Sequence, residues 1–386
     1  MAVTDRSSEV RHVPHLRVGL VVSVASGGTA RHVAALAEGC QDNGLAVSVL
    51  GPEATLRRLR TSAAAVPVAI GDRPRPLRDL SALVRLRRWV ASWRPDLVHA
   101  HGVRAGAFAA AAIALTPRRG RPALVVTVHN APPSGRGAAV VHAGLELICV
   151  QRADLVQCAS ADLMMRLQAR GAAETELVEV PAVRCAAMSV ADVAAVRREL
   201  CAAGRPVILA VGRLAPQKGL DVLIEAAAQW RDRSPRPVTV IAGDGPLAAA
   251  LCAQAARFAD GDVRLLGHRD DVPVLLAAAD VVVVPSRWEA RALIVQEAMH
   301  AGRPIVASRV GGIPDLAGED TAVLIRPGDP AVLAAAVTAL LDDPELAARL
   351  GSGARAKAAS FPTAEDVLNR TLDSYARLAT HRHFSC

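Results

Sequence analysis

Residues 206–219 read PVILAVGRLAPQKG. The unbroken aliphatic run VILAV, with no polar alternation, describes a strand buried on both faces, as in a parallel sheet covered by helices. The run stops at Gly212 and gives way to two fixed cations, Arg213 and Lys218, on a turn that leads into an apolar helix. In open parallel sheets ligands gather outside the carboxyl ends of the strands, so this switch marks a candidate site as well as a fold class. Two cations beside a helix N-terminus suit a diphosphate, although the same pair could simply decorate a solvated loop.

The same alternation extends in both directions. Downstream, strands are predicted at Val238–Ala242, Val263–Leu266, Val281–Pro285, Pro304–Ala307 and Ala322–Ile325. Upstream they are predicted at Arg17–Val24, Ala46–Leu50, Pro67–Ile70, Leu97–Ala100, Leu124–His129 and Leu155–Ala159, with helical patterns between. The class is therefore α/β, with two parallel sheets in succession. A chain of 386 residues also exceeds what one core usually serves. The division expected is a first domain over 1–185, a second over 205–362, and a closing helix in 363–386 that packs back toward the first.

Bulk properties exclude several classes. Hydrophobic residues make up 52% of the chain, which rules out disorder, and aromatic residues only 2%, so the cores should be aliphatic. The seven cysteines are scattered without C-x-x-C or zinc-ligand spacing, so they read as reduced thiols. Residues 1–15 lack the apolar core of a signal peptide, and the longest alanine-rich run, Ala105–Thr116, falls short of the roughly 20 residues a spanning helix needs. These features predict a cytoplasmic protein.

Charge is uneven: residues 1–190 hold 23 Arg against 14 acids, while the remainder holds 22 basic residues against 23 acids. A basic face suits an anionic lipid surface, nucleic acid or a phosphorylated substrate; it also arises as ordinary solvated surface. On the predicted helix Leu77–Arg94, a stripe of Leu83, Leu86, Val90 and Trp93 flanked by Arg85, Arg88 and Arg94 could face anionic headgroups or pack on its own sheet.

Other strand ends carry further candidates. Gly243-Asp-Gly-Pro-Leu-Ala248 satisfies the dinucleotide pattern G-x-G-x-x-A, with Asp260 and Asp262 downstream, which keeps an NAD-dependent oxidoreductase open as an alternative. The pattern follows the second strand of its series rather than the first, and its glycines fit a tight turn or a close backbone approach equally well. Trp288–Met299 places Glu289 in a loop and Glu297 inside an apolar helix, two carboxylates able to accept hydrogen bonds from vicinal hydroxyls. Val310-Gly311-Gly312-Ile313-Pro314-Asp315 offers backbone N–H groups near a helix start, which suits phosphate. In the first half Ser26-Gly27-Gly28-Thr29-Ala30-Arg31-His32 opens a helix, and His99, His101 and His129 stand at strand ends. A single histidine there is commonly structural; three at one sheet edge point toward a site.

In this order GG-x-x-x-H, PDLVHAH, VTVHN, ADLVQCAS, GRLAPQKG, AGDGP, LLGH, SRWEARALIVQEAM, AGRPIVAS and GGIPDL resemble the retaining GT-B glycosyltransferases of family 4 over nearly the whole chain. The resemblance implies two Rossmann-like domains facing across a cleft, a UDP- or GDP-linked sugar donor, and a hydroxyl acceptor, lipid-linked acceptors included. It implies no cofactor, no metal and no nucleic-acid partner; the cytoplasmic placement rests on the composition, and peripheral contact with an anionic membrane rests on the Leu77–Arg94 stripe. By it, Arg213 and Lys218 neutralise the donor diphosphate, Glu289 holds the donor sugar, Glu297 the ribose, and His129 also meets the sugar. Gly27, Gly28, Gly212, Gly243, Gly245, Gly311 and Gly312 line the donor phosphates and nucleotide.

Three segments depart from the family pattern. Pro181-Ala182-Val183 replaces the usual Asn-Gly, Ala290-Arg291-Ala292 replaces a glycine-containing loop and adds a charge beside the expected sugar, and Asp315 stands for the commoner Glu. A catalytically inactive, nucleotide-sugar-binding relative is the reading those departures leave open.

Overall fold

A computed structural model describes residues 16–25, 27–132, 135–181, 188–258 and 262–383. Ser26, Ala182, Val183, Asp260 and residues 1–15, singled out above, lie outside the described residues.

The chain divides into two compact units. Unit 1 comprises residues 1–158, 164–178 and 364–386, and unit 2 comprises 159–163 and 179–363. Unit 1 holds β1 (Arg17–Val22), β2 (Ala46–Gly51), β3 (Ala64–Pro67), β4 (Leu97–His101), β5 (Ala123–Val128), β6 (Leu155–Cys158) and β7 (Thr175–Leu177). They form one parallel sheet in the order β3-β2-β1-β4-β5-β6-β7. Unit 2 holds β8 (Val207–Val211), β9 (Val238–Ala242), β10 (Val263–Gly267), β11 (Val281–Val284), β12 (Ile305–Ser308) and β13 (Val323–Ile325), parallel in the order β10-β9-β8-β11-β12-β13. Each sheet reverses its strand order beside its first strand. At such a point neighbouring loops diverge and leave room for a ligand: between β1 and β4 in one unit, and between β8 and β11 in the other.

Strand β8 shows why the unbroken apolar run was needed. Val207 and Leu209 join one core layer with Val196 and Leu200, whereas Ile208 and Ala210 point into the opposite layer with Leu223 and Trp230. Successive side chains alternate faces, so a strand covered on both sides must be apolar throughout.

Two strands differ from expectation. The segment Pro67–Ile70 was expected to be a strand; the ladder to β2 instead begins at Ala64 and ends at Pro67. This is an edge strand with mostly exposed residues, while Val68 and Ile70, which make the run look like a strand, are buried just after it. Strand β7 was not anticipated, since its three residues, Thr-Glu-Leu, form a short edge with no apolar run.

Contacts also decide which unit owns the connecting segments. Glu179 pairs with Arg291, the Val180 carbonyl accepts from Gln296 Nε2, and Asp162 accepts from Trp288 Nε1, so these short stretches belong with unit 2. The helix Ala364–His383 belongs with unit 1, where Leu372, Tyr375, Leu378 and Ala379 complete the core against Val18, Leu20 and Val33.

Candidate active site

In unit 2 the loop that follows β8 is braced against the one that follows β11. Lys218 Nζ donates to Glu289 Oε1 at 2.6 Å, and Ser286 Oγ donates to the same oxygen at 2.6 Å. The Glu289 side chain is nearly buried, 7% accessible, and a carboxylate there needs the compensation that an ammonium and a hydroxyl supply. Both bonds fall on Oε1; Oε2 receives neither. Around this pair, Gln217 Nε2 donates to the Trp288 carbonyl, and the Arg287 guanidinium forks onto the Asp221 carboxylate at 2.9 and 2.6 Å. That fork holds the Asp221 carboxyl below its ordinary range against the opposing effect of burial. Arg213 is exposed and pairs with no acid among the described residues, so its charge faces solvent beside the Lys218–Glu289 pair's loop.

The glycines of these loops have a common cause. A Cβ on Gly243, whose φ is +148°, would stand 1.9 Å from the Gly212 carbonyl oxygen, and one on Gly245 would meet Leu214 O at 2.5 Å. Likewise a Cβ on Gly311 would meet Glu289 O at 1.9 Å, and one on Gly312 would meet Ala290 O at 2.0 Å. The close approach inferred from the sequence is thus made by neighbouring loops, backbone against backbone. This accounts for the G-x-G-x-x-A pattern without a dinucleotide. Asp262, the described acid of that alternative, precedes β10 at the opposite sheet edge, where Arg205 and Arg236 hold it.

The loop 310–315 differs from expectation in one respect. The Gly312 N–H donates to Glu289 O at 3.0 Å and the Ile313 N–H to Val310 O at 3.1 Å, so one expected phosphate donor frames Glu289 and a second closes the loop's own turn. Glu297 is buried in the helix Leu293–His300, 8% exposed. Arg291, the added charge of this segment, pairs with Glu179 at 3.2 Å and lies 5.9 Å from the Phe361 ring centroid; it is a largely buried cation with its own partners. Ser286, Gln217 and Asp221 were not singled out from the sequence. Ser286 was visible three residues before Glu289, whereas Gln217 lies 71 residues from Trp288 and leaves no local signal.

In unit 1 Gly27 stands at the N-terminus of the helix Gly28–Asp42 with a positive φ, +59°, in the loop that follows β1. His99 and His101 lie on β4 and His129 follows β5, all buried, with His32 facing them from the helix. His99 is structural. Thr127 Oγ1 gives its proton to Gln157 Oε1, so it accepts from His99 Nε2, and His99 Nδ1 in turn accepts from the Tyr375 hydroxyl at 2.6 Å. His32, His101 and His129 form a near-equilateral group with ring centroids 5.7–5.9 Å apart. Nε2 of His32 and of His101 is buried without a hydrogen-bond partner among the described residues. Burial lowers His32 to about 4 and His129 to about 3, so the group is neutral near pH 7. Among the described residues no group of three or more His, Cys, Asp or Glu is placed to hold a metal ion. The helix Pro76–Trp93 buries Leu86 and Val90, so the stripe read as a candidate lipid face is in part a packing face.

Known proteins match both halves in order. Residues 26–181 match the family described as Glycosyltransferase Family 4, and residues 205–343 that described as Glycosyl transferases group 1. A protein of Mycobacterium tuberculosis named glycogen synthase is 34% identical over 297 residues, covering 74% of this chain and 69% of its own. An alpha-D-kanosaminyltransferase of Streptomyces kanamyceticus is 35% identical over 177 residues, 45% of each chain. Among solved structures, Anabaena Alr3699/HepE in complex with UDP-glucose superposes with a TM-score of 0.80 at 23% identity, over 93% of this chain and 100% of that one, a likeness of fold. The chain belongs to the GT-B glycosyltransferases of family 4, enzymes of two Rossmann-like domains that transfer a sugar from a nucleotide donor.

Proposed function

We propose that this enzyme transfers a hexose-type sugar from a UDP- or GDP-linked donor to a hydroxyl acceptor with retention of anomeric configuration, in the synthesis of a cell-envelope glycolipid, polysaccharide or related glycoconjugate. The observation that carries the reading is the nearly buried Glu289, held by Lys218 and Ser286 at the carboxyl end of unit 2's sheet and flanked by exposed Arg213. Oε2 of Glu289 is the acceptor offered to the sugar hydroxyls, and Glu297 takes the ribose. Arg213 and Lys218 answer the charge that grows on the diphosphate as the glycosidic bond breaks, which is where preorganised cations contribute most. The departing phosphate oxygen then receives the proton of the incoming hydroxyl on the same face, so neither a metal nor a protein base is required.

The purified chain, incubated with a panel of UDP- and GDP-sugars and candidate acceptors in chelator, should release nucleotide and yield a mass-shifted acceptor whose new linkage keeps the donor's anomeric configuration by NMR. Lys218→Ala and Glu297→Ala should each lower transfer by about 10²-fold or more without changing the circular dichroism spectrum. Inverted product would reject the retaining mechanism. A rise in melting temperature with nucleotide but no turnover of any donor would assign the chain to binding alone.

A further inference from the structure

We infer that Asp162 is a positioning residue for sugar transfer: by holding the indole of Trp288 it fixes the backbone from which Glu289 reaches the donor. This role rests on the one proposed above for Glu289. Asp162 belongs with unit 2 through the short stretch 159–163, and its carboxylate has a donor on each oxygen. Ser160 Oγ donates to Oδ1, and Trp288 Nε1 donates to Oδ2 at 3.0 Å. An indole N–H can only donate, so a half-buried tryptophan takes a defined orientation from the acceptor it finds. Ser160 is itself buried, 4% exposed, and steadies that acceptor from the other side.

Residues 287–289 are tied from three directions. From the loop after β8, Gln217 O accepts from the Arg287 N–H at 2.7 Å, and Gln217 Nε2 donates to the Trp288 carbonyl at 2.8 Å. From the loop after β12, the Gly312 N–H donates to the Glu289 carbonyl. Asp162 supplies the third direction, through the Trp288 side chain. The second and third anchors are in mutual contact. A Cβ on Gly311 would stand 3.1 Å from Trp288 Nε1, and one on Gly312 would stand 3.0 Å from Ser160 Cβ. The glycine loop thus lies against both the Glu289 backbone and the Ser160–Asp162 pair.

The consequence follows from how Glu289 is held. Lys218 and Ser286 both occupy Oε1, so the aim of Oε2 is set by the backbone at 288–289 and by nothing beyond it on that oxygen's side of the pair. A displacement of about 1 Å in a group that orients a substrate costs on the order of 10² in rate. Arg213 and Lys218 stand in the loop after β8 and keep their approach to a diphosphate whether or not the indole is held. Loss of Asp162 therefore separates nucleotide binding from sugar positioning, a split that neither unfolding nor loss of a cation produces.

Nucleotide release by the full chain, with the donor and acceptor it accepts, is measured beside calorimetry with UDP and GDP. Asp162→Ala and Trp288→Phe, which removes the N–H donor, should each lower kcat about tenfold. The double variant should lose no more than either single one, as one shared interaction requires. Affinity for the nucleotide should be unchanged. Asp162→Asn, which keeps an oxygen for the indole and offers an amide to Ser160, should restore most of the rate. The parent should reject at least one monodeoxy form of its donor about tenfold more strongly than Asp162→Ala does. In the indole N–H region of the NMR spectrum, the signal missing from Trp288→Phe should be displaced in Asp162→Ala. This role is overturned if an active parent and Asp162→Ala have equal kcat, if the two single losses add, if nucleotide affinity falls in step with kcat, or if the Trp288 signal and deoxy-donor discrimination stay unmoved. Asp162→Asn as impaired as Asp162→Ala overturns it too. Those results leave transfer by the parent standing, whereas a parent that turns over no donor removes the transfer reading and this role together.

Discussion

At the strand ends of unit 2 the polar groups are charged and paired: Lys218 with Glu289, and Arg287 with Asp221. At the strand ends of unit 1 the clustered groups are neutral imidazoles, buried in mutual contact, while exposed arginines such as Arg78, Arg85 and Arg88 lie along the helix Pro76–Trp93. Both units use a parallel sheet with the same reversal of strand order. The difference teaches that the fold supplies the position of a site and nothing about its chemistry, which each unit sets by the residue types at those ends. Unit 2 gathers paired charges at its strand ends, and unit 1 gathers neutral rings there.

The largest expected effect lies in unit 2. Lys218→Ala removes a cation and leaves Glu289 nearly buried with only Ser286 for compensation, so kcat/KM measured by nucleotide release should fall by about 10²–10³, on the order of 3–4 kcal/mol; a Lys218→Ala enzyme within threefold of the parent would remove the electrostatic part of the contrast. Glycines separate the units next. Gly243→Ala, with a positive φ and a Cβ 1.9 Å from the Gly212 carbonyl, should cost about 3 kcal/mol or more in urea denaturation. Gly27→Ala, with positive φ but nothing within 4 Å, should cost only about 1–2 kcal/mol. Equal losses would show that loop-on-loop contact is not what the unit 2 glycines serve.

Acid should act chiefly through unit 1. The folded pKa values of His32 and His129 lie near 4 and 3, below the usual 6.5, so the unfolded chain takes up protons first as pH falls. Their neutral burial is compatible with full stability above about pH 6.5. Stability is lost below it, by about 1.4 kcal/mol per pH unit for each histidine, until their folded values are reached. Thermal melts from pH 7.5 to 4.5 on the parent and on His32→Gln should show a shallower slope in the variant; identical slopes would mean that His32 does not drive the loss. The smallest effect should be Ser286→Ala, which removes one hydrogen bond to Glu289 and should lower kcat/KM about five- to tenfold, with Ser286→Thr restoring most of it.

The legible parts of the molecule were those written in contiguous residues. Buried parallel strands such as Val238–Ala242 are apolar on both faces and announce themselves, and Arg213, Lys218 and Glu289 were visible because each stands just after such a run. Strand β3 was misplaced because burial and hydrogen-bond pairing part company at a sheet edge: Val68 and Ile70 are buried outside the ladder. Strand β7 escaped because three edge residues have no periodicity to show. The bracing of Glu289 by the loop that holds Gln217, and the assignment of Asp162 and Glu179 to unit 2, depend on contacts across 71, 126 and 112 residues. Distances of that kind have no expression in a local pattern. The stripe on the helix Pro76–Trp93 was ambiguous for a related reason, since one amphipathic pattern serves a sheet or a membrane, and only exposure separates Leu80 from Leu86.

The hydroxyl of Tyr375 on His99 has a consequence for synthesis of the chain. Every strand of unit 1 leaves the ribosome before unit 2 begins in earnest, yet Leu372, Tyr375 and Leu378, which close its core, emerge only after all of unit 2. The first unit translated is therefore the last to be finished, and it must wait with part of one sheet face uncovered while its neighbour folds.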